Sequence, residues 1–146
     1  MKNHWIIFLF SVGSFVCCDS KLSGSKIIGN IKSNTCYLGV VGRDSIYLQL
    51  DIEASKVSGN LEYNFYEKDD NKGIIDGQLF GDTLIAYYRF ISEGIESERE
   101  VAFLKKGDSM QEGYGEMQEK DDKMVFVSRK SLNFDHSFIL KKAECP

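Results

Sequence analysis

The sequence predicts an all-β fold: a single antiparallel up-and-down meander that closes into a small barrel of about eight strands. Three observations carry this reading. Turn signals recur at Gly42-Arg43-Asp44, Ala54-Ser55, Asp69-Asp70-Asn71, Gly81-Asp82, Glu93-Gly94, Gly107-Asp108 and Lys120-Asp121-Asp122, about a dozen residues apart, as in sandwiches and barrels. Between them hydrophobicity alternates with a period of two: Ile46, Leu48, Leu50 and Ile52 face one way, Tyr47, Gln49, Asp51 and Glu53 the other. Val57, Leu61, Tyr63 and Phe65 repeat the pattern against Asn60, Glu62 and Asn64. Finally, the chain of 146 residues has one Pro, which suits strands hydrogen-bonded on both sides, because proline cannot donate to a ladder.

Taken in order, these signals place strands at 36–41, 45–53, 57–67, 73–80, 83–91, 97–106, 109–118 and 123–129, with a short last one near 137–142. Gly81-Asp82 suits a two-residue type II′ turn. It sets Leu79 opposite Leu84, Gly77 opposite Ala86 and Ile75 opposite Tyr88. Gly107-Asp108 in the same role sets Phe103 opposite Glu112, Val101 opposite Tyr114 and Arg99 opposite Glu116. Gly39, Gly59, Gly77, Gly113 and Gly115 fall inside strands, where small barrels bend sharply.

The N-terminus reads as an address. A basic start, Met1-Lys2-Asn3-His4, precedes an uncharged run from Trp5 to Val16, which is shorter than the ~20 apolar residues that span a bilayer and right for a signal peptide. The run ends in Phe15-Val16-Cys17-Cys18. This resembles the lipobox of bacterial lipoproteins with Cys18 as the acylated (palmitate-bearing) residue, Cys17 in the small-residue position and Phe15 where Leu is usual. The expected organisation is a signal peptide at 1–17, a flexible Ser/Lys/Gly/Asn tether at 18–34 and a barrel domain at 35–146. Two further cysteines, Cys36 and Cys145, sit at the ends of that domain. In an exported protein such a pair is expected to form a disulfide.

From residue 36 to 145 the chain is similar in architecture to the small lipocalin-like or calycin-like barrels of uncharacterised Gram-negative lipoproteins. The resemblance implies a location in the cell envelope, anchored by lipid to a membrane and in the first place to the outer membrane. It implies a binding role only through the fold.

Composition narrows the function further. With 18 Lys+Arg against 22 Asp+Glu the formal charge is −4, so no basic stripe points to a nucleic-acid partner. A membrane-spanning barrel would need an apolar outer band, whereas Asp51, Glu53, Asn60, Glu62, Glu98 and Glu100 occupy the non-core faces. The chain reads as a non-enzyme with no cofactor. His136, beside Asp135, Ser131 and Ser137, lies with them in one short loop that cannot converge as a triad does. Zinc needs several His or Cys at short spacing, and Asp69-Asp70-Asn71 lacks the calcium-loop pattern.

Two features remain as candidates for binding. Arg99, Glu112 and Glu116 share a face with Val101, Phe103 and Tyr114 on the register above. If that face is the lumen, an Arg99–Glu116 pair becomes a polar handle in an aromatic pocket of Tyr63, Phe65, Tyr88 and Phe103. If it faces outward, the pair is a surface contact. Residues 93–100 carry four carboxylates and read as a surface loop. The expected function is therefore an envelope-anchored module that binds a small apolar ligand or an envelope protein. The alternative is an inhibitor or immunity-type lipoprotein with a filled core, acting through that loop. Cys18→Ser is expected to release the protein from membranes and Cys17→Ser to leave it bound, as read by fractionation; release by neither overturns the lipoprotein reading.

Overall fold

The structure is a computed structural model that describes residues 32–135 and 138–146. The expected signal peptide, Cys17, Cys18, most of the expected tether, His136 and Ser137 lie outside the described residues. Strands β1 (Lys32–Val41), β2 (Asp44–Glu53), β3 (Lys56–Asn64), β4 (Asn71–Phe80), β5 (Thr83–Ser92) and β6 (Ile95–Lys106) form an unbroken antiparallel meander. After β7 (Ser109–Gly113) come β8 (Met117–Lys120), β9 (Lys123–Phe126) and β10 (Ile139–Ala143). The sheet runs β5-β4-β3-β2-β1-β10-β7-β6, and β5–β6 pairing closes it into an eight-stranded up-and-down barrel.

Turn chemistry sets the meander. Gly42, Gly81 and Gly107 each take a positive φ (63°, 62° and 59°) as the first residue of a two-residue turn, the type II′ pattern whose twist matches the flanking strands. Glu93-Gly94 and Asp121-Asp122 have positive φ at both residues, the type I′ pattern. The β4–β5 register is the expected one, with Leu79 opposite Leu84, Gly77 opposite Ala86 and Ile75 opposite Tyr88. Gly77 is required there, because a Cβ would stand 2.5 Å from that of Ala86.

The structure corrects three strand assignments. The barrel begins before the expected boundary at residue 35, since β1 starts at Lys32 and pairs residues 32–34 with Glu53, Ile52 and Asp51. The expected strand 109–118 is two strands, broken after Gly113. The expected strand 123–129 is not in the barrel wall: β8 and β9 form a hairpin outside it, with β9 touching β6 in parallel at Met124 and Arg99. The eighth barrel strand is the short C-terminal one, β10, between β1 and β7. The break has a tertiary cause. Phe134 packs against Gly113 so closely that a Cβ would lie 2.5 Å from its ring. Tyr114 then exchanges both main-chain hydrogen bonds with Asn133 at 2.8 Å instead of continuing along β6.

Two cores follow from this path. Inside the barrel Ile46, Leu48, Leu61, Leu84, Phe103 and Leu140 are fully buried, and Leu50, Val57 and Met110 join them towards the end where β2 meets β3 and β6 meets β7. Outside it, Ile85 and Ala102 are covered by Phe126, Met117, Leu132 and Phe134. Cys36 and Cys145 are bonded with Cα atoms 5.3 Å apart, clamping β1 to the chain just beyond β10. A closed loop of about 110 residues restricts the unfolded chain by up to ~4–5 kcal/mol.

Candidate functional site at the aromatic end of the barrel

The other end of the lumen is aromatic and charged. Alternation along β3 turns Tyr63 inward, 2% exposed, and β7 turns Glu112 inward from across the barrel. The Tyr63 hydroxyl donates to Glu112 Oε1 at 2.6 Å, and the Tyr114 hydroxyl donates to Oε2 at 2.7 Å. Glu112 is 7% exposed, and such a burial is tolerable because both carboxylate oxygens are hydrogen-bonded. Burial first, and then the Glu112 charge, hold the Tyr63 and Tyr114 hydroxyls above the usual tyrosine range, while Arg99 acts in the opposite direction.

Arg99 extends from β6 into a cage of rings. Its guanidinium carbon lies 5.2, 5.7 and 5.5 Å from the ring centroids of Tyr63, Tyr88 and Phe90, within cation–π range. Tyr88 and Phe90 stack at 4.6 Å, and the Tyr88 hydroxyl donates to the Asn71 carbonyl at 2.9 Å. Arg99 Nε is buried without a hydrogen-bond partner, and among the described residues Arg99 and Glu112 form no ion pair. Two opposite charges therefore stand in one site, close enough to act together on Tyr63, yet unjoined.

A pocket of about 230 Å³ opens beside them, lined by Tyr63, Phe65, Arg99, Val101, Glu112 and Tyr114 on the lumen side. It passes through the gap that β7 leaves along β6, so Glu100, Gly113, Gly115, Met117 and Phe126 form its outer wall. A larger groove of about 620 Å³ crosses the outside of β2–β5, bordered by Asp51, Asp76, Phe80, Tyr87 and Arg129. No buried unpartnered polar atom of the described residues lines that groove, so the smaller pocket is the candidate site.

The expected site residues divide as follows. Tyr63, Phe65, Arg99 and Tyr114 line the pocket, and Tyr88 backs Arg99 from behind. Phe103, which faces inward opposite Glu112, is fully buried in the filled part of the lumen and lines neither this pocket nor the outer groove. Glu116 is not in the site. It is exposed, and its carbonyl accepts from the Val127 N–H at 2.8 Å, because the β6–β7 ladder stops at Ala102 and Gly113. The expected Arg99–Glu116 pair does not form, and the buried acid is Glu112. Residues 93–100 are a two-residue turn followed by strand, not a loop. Glu98 pairs with Lys123 at 3.0 Å, and Glu100, 3% exposed, accepts from the Phe126 N–H at 3.0 Å and from Arg129. Met117 and Phe126 escaped sequence reasoning; the nearest signal was the closely spaced pair Gly113 and Gly115.

Comparison with known protein families, curated proteins and solved structures finds no match to this chain.

Two predictions follow from these hydrogen bonds. Glu112→Ala strands two phenol donors and is expected to lower the unfolding free energy by about 2–3 kcal/mol, against about 0.5 kcal/mol or less for Glu116→Ala; urea melts giving equal losses would contradict the assignment. The second concerns alkaline pH. Unfolded tyrosines ionise near 10.0, whereas Tyr63 and Tyr114 keep their protons to higher pH in the fold. Their contribution is complete below pH ~10 and is lost as pH rises towards the folded values, by up to ~1.4 kcal/mol per pH unit for buried Tyr63 and by less for half-exposed Tyr114, whose surroundings are screened by solvent. Tyr63→Phe is expected to flatten this alkaline decline in denaturant melts, and an unchanged slope would contradict it.

Proposed function

We propose that the chain is an exported, lipid-anchored binding module that takes a small ligand into the aromatic end of its barrel. One observation carries this reading: a pocket of about 230 Å³ lined by a cation, Arg99, whose buried Nε–H no protein group accepts. Such a group is costly to bury in a site of no use, and convergent polar groups in an apolar concavity are what small-molecule sites present. The topology supports an anchored role. β1 begins at the end opposite the pocket, beside the Cys36–Cys145 clamp, so a tether leading into β1 leaves the pocket facing away from the membrane. The filled, disulfide-closed end gives a base, and the pocket end carries the buried charges. An inhibitor acting through residues 93–100 gains no support, because Glu98 and Glu100 are held in ion pairs along β6.

Native mass spectrometry of the mature domain purified from its host tests the reading. A retained adduct of small mass, absent from an Arg99→Gln variant, is the expected result. A stoichiometric protein partner held equally by both forms would replace the ligand reading with a docking one.

A further inference from the structure

We propose that the ligand's head group is zwitterionic, and that the ligand is a free α-amino acid with an apolar side chain. The inference rests on the pocket reading above and goes further by naming the chemistry. Arg99 supplies a buried N–H with no protein acceptor. Across the same pocket Glu112 is a buried carboxylate whose oxygens each accept one phenol hydrogen and retain a further lone pair. The lining thus holds one unjoined positive group and one unjoined negative group in a volume of about 230 Å³, the third charged residue, Glu100, being neutralised by its ion pair with Arg129.

Charge balance decides among ligand classes. A plain carboxylate satisfies Arg99 but brings a second anion beside Glu112, and like charges in a partly dry site disfavour each other. A plain amine finds Glu112 but meets the Arg99 cation, which already occupies the aromatic cage formed by Tyr63, Tyr88 and Phe90. A head with both charges completes each group at once and leaves the pocket's net charge unchanged. Apart from Glu100, which is engaged by the Phe126 N–H and Arg129, the side chains that remain are apolar: Phe65, Val101, Met117 and Phe126. The volume corresponds to about eight water-sized groups, which suits a side chain such as that of leucine or phenylalanine and excludes a long acyl chain.

Isothermal titration of the disulfide-bonded protein with L-leucine and L-phenylalanine tests this, compared with their N-acetyl forms (anions), their amides (cations) and 1-hexanol (neutral and apolar). The expected result is that at least one free amino acid binds tenfold or more tighter than both of its capped forms. Arg99→Gln is expected to abolish that advantage and shift preference towards the amide. Glu112→Gln, which keeps an acceptor for the phenols, is expected to shift it towards the N-acetyl form. An N-acetyl form binding as well as its parent overturns the zwitterion and leaves an anion pocket. Binding of 1-hexanol alone also overturns it and leaves an apolar pocket. Absence of binding by every compound overturns both this inference and the small-ligand reading beneath it. If either variant fails to fold by circular dichroism, the ligand series on the unaltered protein decides.

Discussion

β6 runs for 12 residues while β7 runs for 5, and the architecture of the candidate site depends on that mismatch. A closed barrel satisfies its main-chain groups by giving each strand a partner on both sides. Along Lys106 to Ala102 the partner is β7. Beyond that point the chain has turned away, and the rest of β6 is paired by β5 on one side and touched by β9 at a single residue pair on the other. A wall with a missing half-strand would expose backbone and apolar surface together. The β8–β9 hairpin covers that surface, burying Ile85 and Ala102 on the outside of the barrel. Glu100 fixes the cover in place by accepting from the Phe126 N–H and from Arg129. The pocket is what remains of the gap after the cover is on.

The same mismatch explains why charge is tolerated so far inside. Were β7 to continue, its next inward residue would close the wall and leave no room for Arg99. Instead Tyr114 leaves the ladder, bonds to Asn133 through its backbone, and still sends its hydroxyl back to Glu112. The buried carboxylate is thereby held by one phenol from across the lumen and one from the departing chain. A half-satisfied polar network costs more than an apolar one, and here the acidic half is satisfied while the basic half rests on ring faces. Cation–π contact of about 0.5–2 kcal/mol replaces only part of the hydration an arginine gives up, so the Nε–H keeps a strong preference for an acceptor.

In the candidate site, sequence and structure part company at Glu116, and the reason is instructive. The Gly107-Asp108 turn correctly placed Phe103 opposite Glu112, because a two-residue turn sets register for as long as the ladder lasts. Nothing in the period-two pattern tells where a ladder stops. Extending it by four residues gave Glu116 the role that Glu112 holds. The stopping signal is tertiary: Phe134, 21 positions after Gly113, occupies the space a side chain there would need. By contrast, the turns and the β4–β5 register were legible because their causes are local, in glycines and in pairs of acidic or small residues. Which face of β6 turns inward was left open by the sequence, because Val101 and Phe103 share theirs with Arg99 while Ala102 and Leu104 make the other face apolar as well; burial of Phe103 and the course of β7 settle it. That the hairpin after Glu116 lies outside the wall was not legible either, because its strands alternate like any others.

Stability and adaptability are consequently divided between the two ends of one barrel. At the filled end aliphatic side chains pack without polar interruption, and the Cys36–Cys145 bond closes the seam between the first and last strands. At the pocket end the wall depends on a hairpin of two four-residue strands, a latch at Glu100 and a thin cluster around Phe126. Segments with few buried apolar contacts are those that open at lowest free energy. Phe126 belongs to both systems: it packs on Ile85 and Ala102, and it lines the pocket. Any occupant that rests on Phe126 and Met117 therefore adds contacts to the hairpin as well as to the lumen, and by linkage it stabilises the docked cover by as much as the cover stabilises the occupant. The gap that β7 leaves thus couples the pocket to the least secured element of the fold, while the clamped end stays indifferent to what the pocket holds.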